Sequence, residues 1–175
     1  MNKVIENYVL KEKLGSGQYG DVFKAEDQNN GQVVAVKVMN VKKFKATPKL
    51  SEFTSNEIAI LTKVENPHII RFVEMLRTAN NYYLVYEYCN GGTLDELLKR
   101  KKFLTEAEAL KKFVQILDAF KVLFREKILH RDLKPSNILF HDGVLKLADF
   151  GFCKELMDDN SMAQTMVGSP IYMAP

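Results

Sequence analysis

Asp132, Asn137 and Asp149 are the residues of this sequence whose types and spacing could do chemistry. They lie in ILHRDLKPSNILFHDGVLKLADFG, residues 128–151, around two short apolar runs, Ile138 to Phe140 and Val144 to Leu147, separated by Asp142-Gly143. Asp-Gly between such runs is a strong hairpin signal, because both central residues of the favoured tight turn need positive φ. A hairpin there folds Asn137 and Asp149 back toward Asp132. One potential proton acceptor then stands beside two oxygen ligands for a hard cation. Those are the parts that transfer of a phosphoryl group needs.

The surrounding chain must supply elements that hold these groups and a nucleotide. Tyr8 to Leu14, Val22 to Ala25, and Val33 to Met39 read as strands, the last following the Asn29-Asn30-Gly31 turn. Between the first two lies Gly15-Ser16-Gly17-Gln18-Tyr19-Gly20. A G-x-G-x-x-G match alone occurs by chance in roughly one chain in twenty of this length. A dinucleotide-binding fingerprint needs a helix directly after the glycines, but Asp21-Val22-Phe23-Lys24-Ala25 continues as a strand. The glycines therefore belong to a hairpin, where missing side chains let backbone N–H groups approach phosphate oxygens.

Thr47-Pro48 starts a helix running to Val64, with apolar residues at Leu50, Phe53, Ile58, Leu61 and Val64. Asn66-Pro67 ends it, and Ile69 to Arg77 and Tyr82 to Tyr88 form two more strands about the Asn80-Asn81 turn. This predicts a five-stranded antiparallel sheet with one helix. Thr93 with Glu96, and Thr105 with Glu108, are capping boxes that open two further helices. The second carries two apolar stripes, one through Leu110, Val114, Leu117 and Phe124, the other through Phe113, Ile116, Phe120 and Leu123. So wide an apolar arc calls for neighbours on more than one side.

At 175 residues the chain has room for one domain or two small lobes sharing a cleft. Its 46% hydrophobic and 27% charged residues are a globular balance, and a net charge of +3 is too small to argue for nucleic acid. Cys89 and Cys153 are far apart and lack metal-ligand spacing, which fits a reducing, cytoplasmic setting. No run of 18 or more apolar residues occurs, so no transmembrane segment is expected. Lysines gather at Lys42, Lys43 and Lys45, at Lys99 to Lys102, and at Lys111 and Lys112. Solvated faces are the ordinary reading of such runs, and docking of an acidic partner the other.

His130-Arg131-Asp132 with Asn137, followed by Asp149-Phe150-Gly151, resembles the catalytic loop and metal-binding motif of the eukaryotic protein kinases. The resemblance implies an α+β, bilobal protein-kinase-like fold with a five-stranded N-lobe plus one helix, residues 1–88, and an incomplete helical C-lobe, residues 89–175. It implies ATP bound between the lobes, with Leu14 and Val22 enclosing the adenine-ribose edge and Gly15, Ser16, Gly17, Gln18, Tyr19 and Gly20 covering the phosphates. Val34-Ala35-Val36-Lys37 matches the family's strand lysine, and Glu57 resembles its carboxylate partner. Glu87 and Cys89 would meet the adenine edge through backbone groups, with Tyr86 at the back of the pocket, Leu139 as floor and Ala35 above it. Thr93 stands where many members place an acidic ribose contact.

The same resemblance makes Asp132 the acceptor of the substrate hydroxyl proton and Lys134 the stabiliser of charge on the transferred group. Asn137 and Asp149 would hold Mg²⁺. Lys134 two residues after Asp132 matches the serine/threonine-specific pattern. Thr165 occupies a commonly phosphorylated position with Arg131 as its partner, and Ser169 resembles the hydroxyl that tethers the substrate-binding loop. Gly151-Phe152, Glu87-Tyr88-Cys89-Asn90-Gly91-Gly92 and the stretch from Gly168 to Pro175 most resemble the autophagy-initiating serine/threonine kinases. Protein substrates and regulatory proteins are the expected partners. Because the sequence stops inside the family's Ala-Pro-Glu motif, a fragment of a longer kinase is expected, with an inactive truncated product or a nucleotide-binding scaffold as alternatives.

Overall fold

The computed structural model describes residues 3–17, 20–156 and 167–173. By compactness the chain divides into two units, Met1–Glu52 with Arg71–Tyr88, and Phe53–Ile70 with Cys89–Pro175.

The first unit is built on an antiparallel sheet of six strands: β1 (Val4–Ile5), β2 (Tyr8–Gly17), β3 (Gly20–Asp27), β4 (Val33–Asn40), β5 (Phe72–Arg77) and β6 (Asn81–Glu87), in the order β1-β2-β3-β4-β6-β5. The strand beyond the expected five is β1, whose two residues pair with Val9 and Tyr8 and are too few to show a period in the sequence. Alternation along β4 buries Val34 and Val36 while Ala35 and Lys37 stay half-buried on the other face. Val34 and Val36 join Ile5, Leu10, Leu76 and Val85 in the sheet's core. Tyr8 reaches into that core and donates from its hydroxyl to Glu74 Oε1 at 2.7 Å. Burial first, then the Glu74 carboxylate, push the Tyr8 hydroxyl up to about 12.

Two helices stand where one was expected. Asn40 caps α1 (Val41–Ala46), its Oδ1 accepting from the N–H groups of Lys42 at 2.9 Å and Lys43 at 3.3 Å. The Phe44 ring of α1 lies 4.6 Å from that of Tyr82. After Thr47 the chain continues as α2 (Pro48–Lys63).

Residues 53–70, expected with the sheet, group with the second unit, and specific contacts explain it. Phe53 meets Phe152 edge to face at 5.0 Å, and Asn56 Nδ2 donates to the Cys153 carbonyl at 2.6 Å. Lys63 bridges Glu126 at 3.3 Å and Glu155 at 2.7 Å. Ile69, read as the start of a strand ending at Arg77, instead forms a parallel bridge to Leu147, and Ile70 N–H donates to the Leu147 carbonyl at 2.9 Å.

The rest of the second unit comprises α3 (Leu94–Lys101), α4 (Glu106–Arg125), and the short strands β7 (Ile128–Leu129), β8 (Ile138–His141), β9 (Val144–Leu147) and β10 (Lys154–Glu155). Both capping boxes form as the sequence predicts, each threonine accepting from the glutamate N–H while the glutamate accepts from the threonine N–H. Helix α4 buries Ala119 and Leu123 completely, and Gln115 Oε1 accepts from Leu145 N–H at 2.8 Å. Leu110, Phe113, Val114, Leu117 and Phe124 remain exposed. The cover expected on a second side of α4 is thus missing among the described residues.

Candidate active site

The turn at Asp142-Gly143 is the device that assembles the site. Both residues have positive φ, 49° and 80°, and β8 pairs with β9 from His141↔Val144 to Ile138↔Leu147. One step beyond that last pair, Ala148 N–H donates to the Asn137 carbonyl at 2.9 Å. Asn137 and Asp149 are therefore delivered to the same end of the hairpin, as the sequence predicts.

At that end Asp132, 3% exposed, is held by three side chains. Lys134 Nζ lies 2.7 Å from its Oδ2, Asn137 Nδ2 donates to the same oxygen at 2.9 Å, and Ser169 Oγ donates to Oδ1 at 2.8 Å. Lys134 Nζ also donates to Ser169 Oγ at 2.9 Å, and Asn137 Nδ2 to the Asp132 carbonyl at 3.0 Å. Burial alone would raise the Asp132 carboxyl. The hydrogen bonds from Lys134 and Ser169, the lysine's charge and the Asn137 bond outweigh it and hold Asp132 below the usual carboxylate range.

Behind Asp132 sits His130, 2% exposed. Its Nδ1 accepts from Asp132 N–H at 3.3 Å and its Nε2 meets the Ala148 carbonyl at 3.2 Å. Only the neutral ring protonated on Nε2 satisfies both partners. Burial lowers its tendency to take a proton, against the Ala148 bond and the charges of Asp149 and Asp132. Phe150, fully buried, meets the His130 ring edge to face at 5.0 Å, and the Phe120 ring centroid lies 6.3 Å from that of His130. Asp149, next to buried Phe150, is exposed and has φ of 65°. Its carboxylate and the Oδ1 atom of Asn137 are hard oxygen donors at one hairpin end, a set that fits a cation such as Mg²⁺.

His130 gives the fold a pH dependence whose sign follows from these contacts. The unfolded histidine gains a proton as pH falls through its ordinary value of 6.5, whereas the folded one resists until lower pH. The unfolded state thus binds more protons in that window, so stability falls with pH. Asp132 adds to the loss as pH falls through its ordinary value of 3.8 toward the lower value it has in the fold. The urea midpoint is expected to drop between pH 7.5 and 5.5, and the drop should shrink in His130→Gln. An equal drop in that variant would assign it to other groups.

In the first unit, Gly15 and Val22 pair across β2 and β3, and Val22 pairs with Lys37 on β4. Leu14 and Ser16 are exposed, Val22 and Ala35 half-buried. Gly17 pairs with Gly20, which makes this segment the end of a hairpin as expected; Gln18 and Tyr19 lie outside the described residues. The expected phosphate role suits Gly15, about which a Cβ would meet nothing within 4 Å. At Gly20 a Cβ would run into the Val38 carbonyl, so that glycine is required by close packing of β3 on β4. Glu87 N–H donates to the Arg71 carbonyl at 2.9 Å and its Oε1 accepts from Arg71 N–H at 2.7 Å. The Glu87 amide is thereby already engaged within its own sheet.

The second unit holds the remaining predicted residues. Glu57 is buried on α2, while Cys89 and Leu139 are half-buried. Thr93 is taken up as the cap of α3. Arg131 Nε donates to the Phe152 carbonyl at 2.7 Å, and Thr165 lies outside the described residues. Burial pushes the Cys153 thiol up, which leaves it unreactive. The structural part of His130 was not foreseen as a separate role; its position next to Asp132 was the available signal.

Comparison with known proteins decides what this arrangement belongs to. The sequence matches the family described as the protein kinase domain over residues 8–175. The chain belongs to the protein kinase family. This kinase chain is 38% identical over 177 residues to serine/threonine-protein kinase ATG1b of Arabidopsis thaliana, covering 99% of the chain and 24% of that protein. It is 36% identical over 181 residues to probable serine/threonine-protein kinase fhkD of Dictyostelium discoideum, covering 100% and 24%. To serine/threonine protein kinase OSK3 of Oryza sativa subsp. indica it is 38% identical over 175 residues, covering 99% and 34%. The kinase chain therefore spans about a quarter to a third of the length of these curated relatives. Among the described residues no helix is long and apolar enough to cross a membrane.

Proposed function

We propose that this chain carries the phosphoryl-transfer site of a serine/threonine protein kinase, moving the γ-phosphate of ATP to hydroxyls of protein substrates with Mg²⁺. The observation that carries this reading is the Asp132 carboxylate, ionised and held on both oxygens by Lys134, Asn137 and Ser169 at 2.7–2.9 Å. ATP bound with Mg²⁺ supplies an activated phosphoryl group whose charge the cation offsets. Asn137 Oδ1 and Asp149 would hold that cation, and the Gly15–Gly17 backbone and Lys37 would contact the phosphates.

Asp132, kept ionised below the usual carboxylate range, would accept a hydrogen bond from the substrate hydroxyl and aim its oxygen, then receive its proton as the oxygen loses charge. Lys134, 2.7 Å from Asp132, would carry its charge to the transferred group. Ser169 would tie the segment that follows to the same carboxylate. A cytoplasmic setting is part of the proposal. It fits Cys89 and Cys153, neither of which forms a disulfide among the described residues.

The test is transfer from γ-labelled ATP to a basic protein, followed by identification of the labelled amino acid. Label on serine and threonine, abolished by EDTA and strongly reduced in Asp149→Asn, is expected. Absence of transfer, or label on tyrosine, would overturn the proposal.

A further inference from the structure

A groove of about 290 Å³ lies between α3, α4 and the β8–β9 hairpin, with Thr93, Glu96, Leu97, Arg100, Lys112 and Phe140 among its walls. Its floor is apolar: Leu97 is half-buried and Phe140 buried, and Lys112 Nζ stands 5.4 Å above the Phe140 ring centroid. Its rim carries more cations than its carboxylates offset: Glu96 and Asp142 keep their negative charge, against Arg100 and Lys112 on the groove and Lys102 and Lys111 near them in sequence. Asp95 is taken by Lys99 at 2.7 Å and Glu108 by Lys101 at 2.5 Å, while Glu96 Oε2 accepts from Thr93 N–H at 2.9 Å. Asp142, beyond the hairpin rim, accepts from Asn90 Nδ2 at 2.7 Å. Among the described residues Arg100, Lys102, Lys111 and Lys112 have no carboxylate partner within ion-pair distance.

We infer that this groove docks an acidic peptide segment of a partner protein, with one leucine-sized side chain on Leu97 and Phe140 and flanking carboxylates on Arg100 and Lys112. The volume suits a single anchor, and the surplus cations supply complementarity to negative charge. A nucleic acid or polysaccharide would match the charge but would leave the apolar floor without an occupant. Lys112, part of a lysine run in the sequence, thus gains a role that solvation alone does not give it. Binding alone reads this out, so it stands or falls independently of phosphoryl transfer.

The test is fluorescence anisotropy of the chain with a fluorescein-labelled peptide of glutamates around two leucines. Saturable binding is expected. It should weaken about tenfold or more in the double variant Arg100→Glu, Lys112→Glu, and equally when the peptide's leucines become serines. Arg100→Gln should give an intermediate loss, and Lys121→Glu, the same charge change elsewhere on α4, none. Circular dichroism shows that each variant is folded. No saturable binding, unchanged binding in the folded variants, indifference to the leucines, or equal binding of a single-stranded RNA oligomer would overturn the proposal.

Discussion

Asparagine in place of Asp132 is expected to slow phosphoryl transfer by about 10²- to 10⁴-fold while the fold survives. The survival can be argued from the hydrogen bonds. Lys134 and Asn137 both donate to Oδ2, while Ser169 donates to Oδ1 and accepts from Lys134. An asparagine whose amide oxygen faces Lys134 and Asn137 turns its NH₂ toward Ser169 Oγ, an oxygen with a second lone pair to accept it. Lys134 and Asn137 then keep an acceptor, half-buried Ser169 accepts from the new amide while its own hydroxyl proton turns to solvent, and the side chain has the same shape. What disappears is the negative charge and the atom able to take a proton. The loss should therefore fall on kcat and leave ATP affinity within a small factor, measured by fluorescent-nucleotide titration. Equal kcat in wild type and variant would remove Asp132 from the reaction.

The parts of this site that sequence reveals are those built from local rules. Asp142-Gly143 announces its turn because the two positive φ values restrict which residues can stand there, and the turn alone brings Asn137 and Asp149 to one end of β8–β9. Thr93 with Glu96 and Thr105 with Glu108 are equally local, so both helix starts are legible. Asn40 carried the same kind of cap signal for α1, but the lysines after it read as a solvated run.

Long-range pairing is where the reading fails. Ile69 looks like the start of a strand by composition, and only the distant Leu147 makes it part of another ladder. The two-residue strands β7 and β10 pair Leu129 with Lys154 and Ile128 with Glu155, contacts too short and too far apart in the chain to leave a period. Gly20 shows a related limit. Its type fits the glycine-rich pattern, but its reason, the Val38 carbonyl across β4, exists only once the sheet has formed. The role of Ser169 was visible through family resemblance alone, since nothing in its local sequence points to a residue as distant as Asp132.

Truncating Phe150 to alanine is expected to destabilise the chain by about 3–5 kcal/mol, through lost transfer energy and the cavity left behind. A domain's net stability is about 5–15 kcal/mol, so much of it would go. Phe150 is fully buried, and its ring supports that of His130 edge to face at 5.0 Å. His130 in turn accepts the Asp132 N–H through Nδ1 and meets the Ala148 carbonyl through Nε2. Removing the phenyl ring lets the imidazole tilt, and the first bond to weaken is the long one, at 3.3 Å, that fixes the backbone of Asp132. Stability and transfer should therefore fall together in Phe150→Ala, while Phe150→Leu, which keeps most of the volume, should retain most of both. Urea denaturation gives the first quantity and γ-phosphate transfer under folding conditions the second. A loss below about 1 kcal/mol would mean that the ring carries no packing at this position, and full transfer in a folded Phe150→Ala would uncouple His130 from the placement of Asp132.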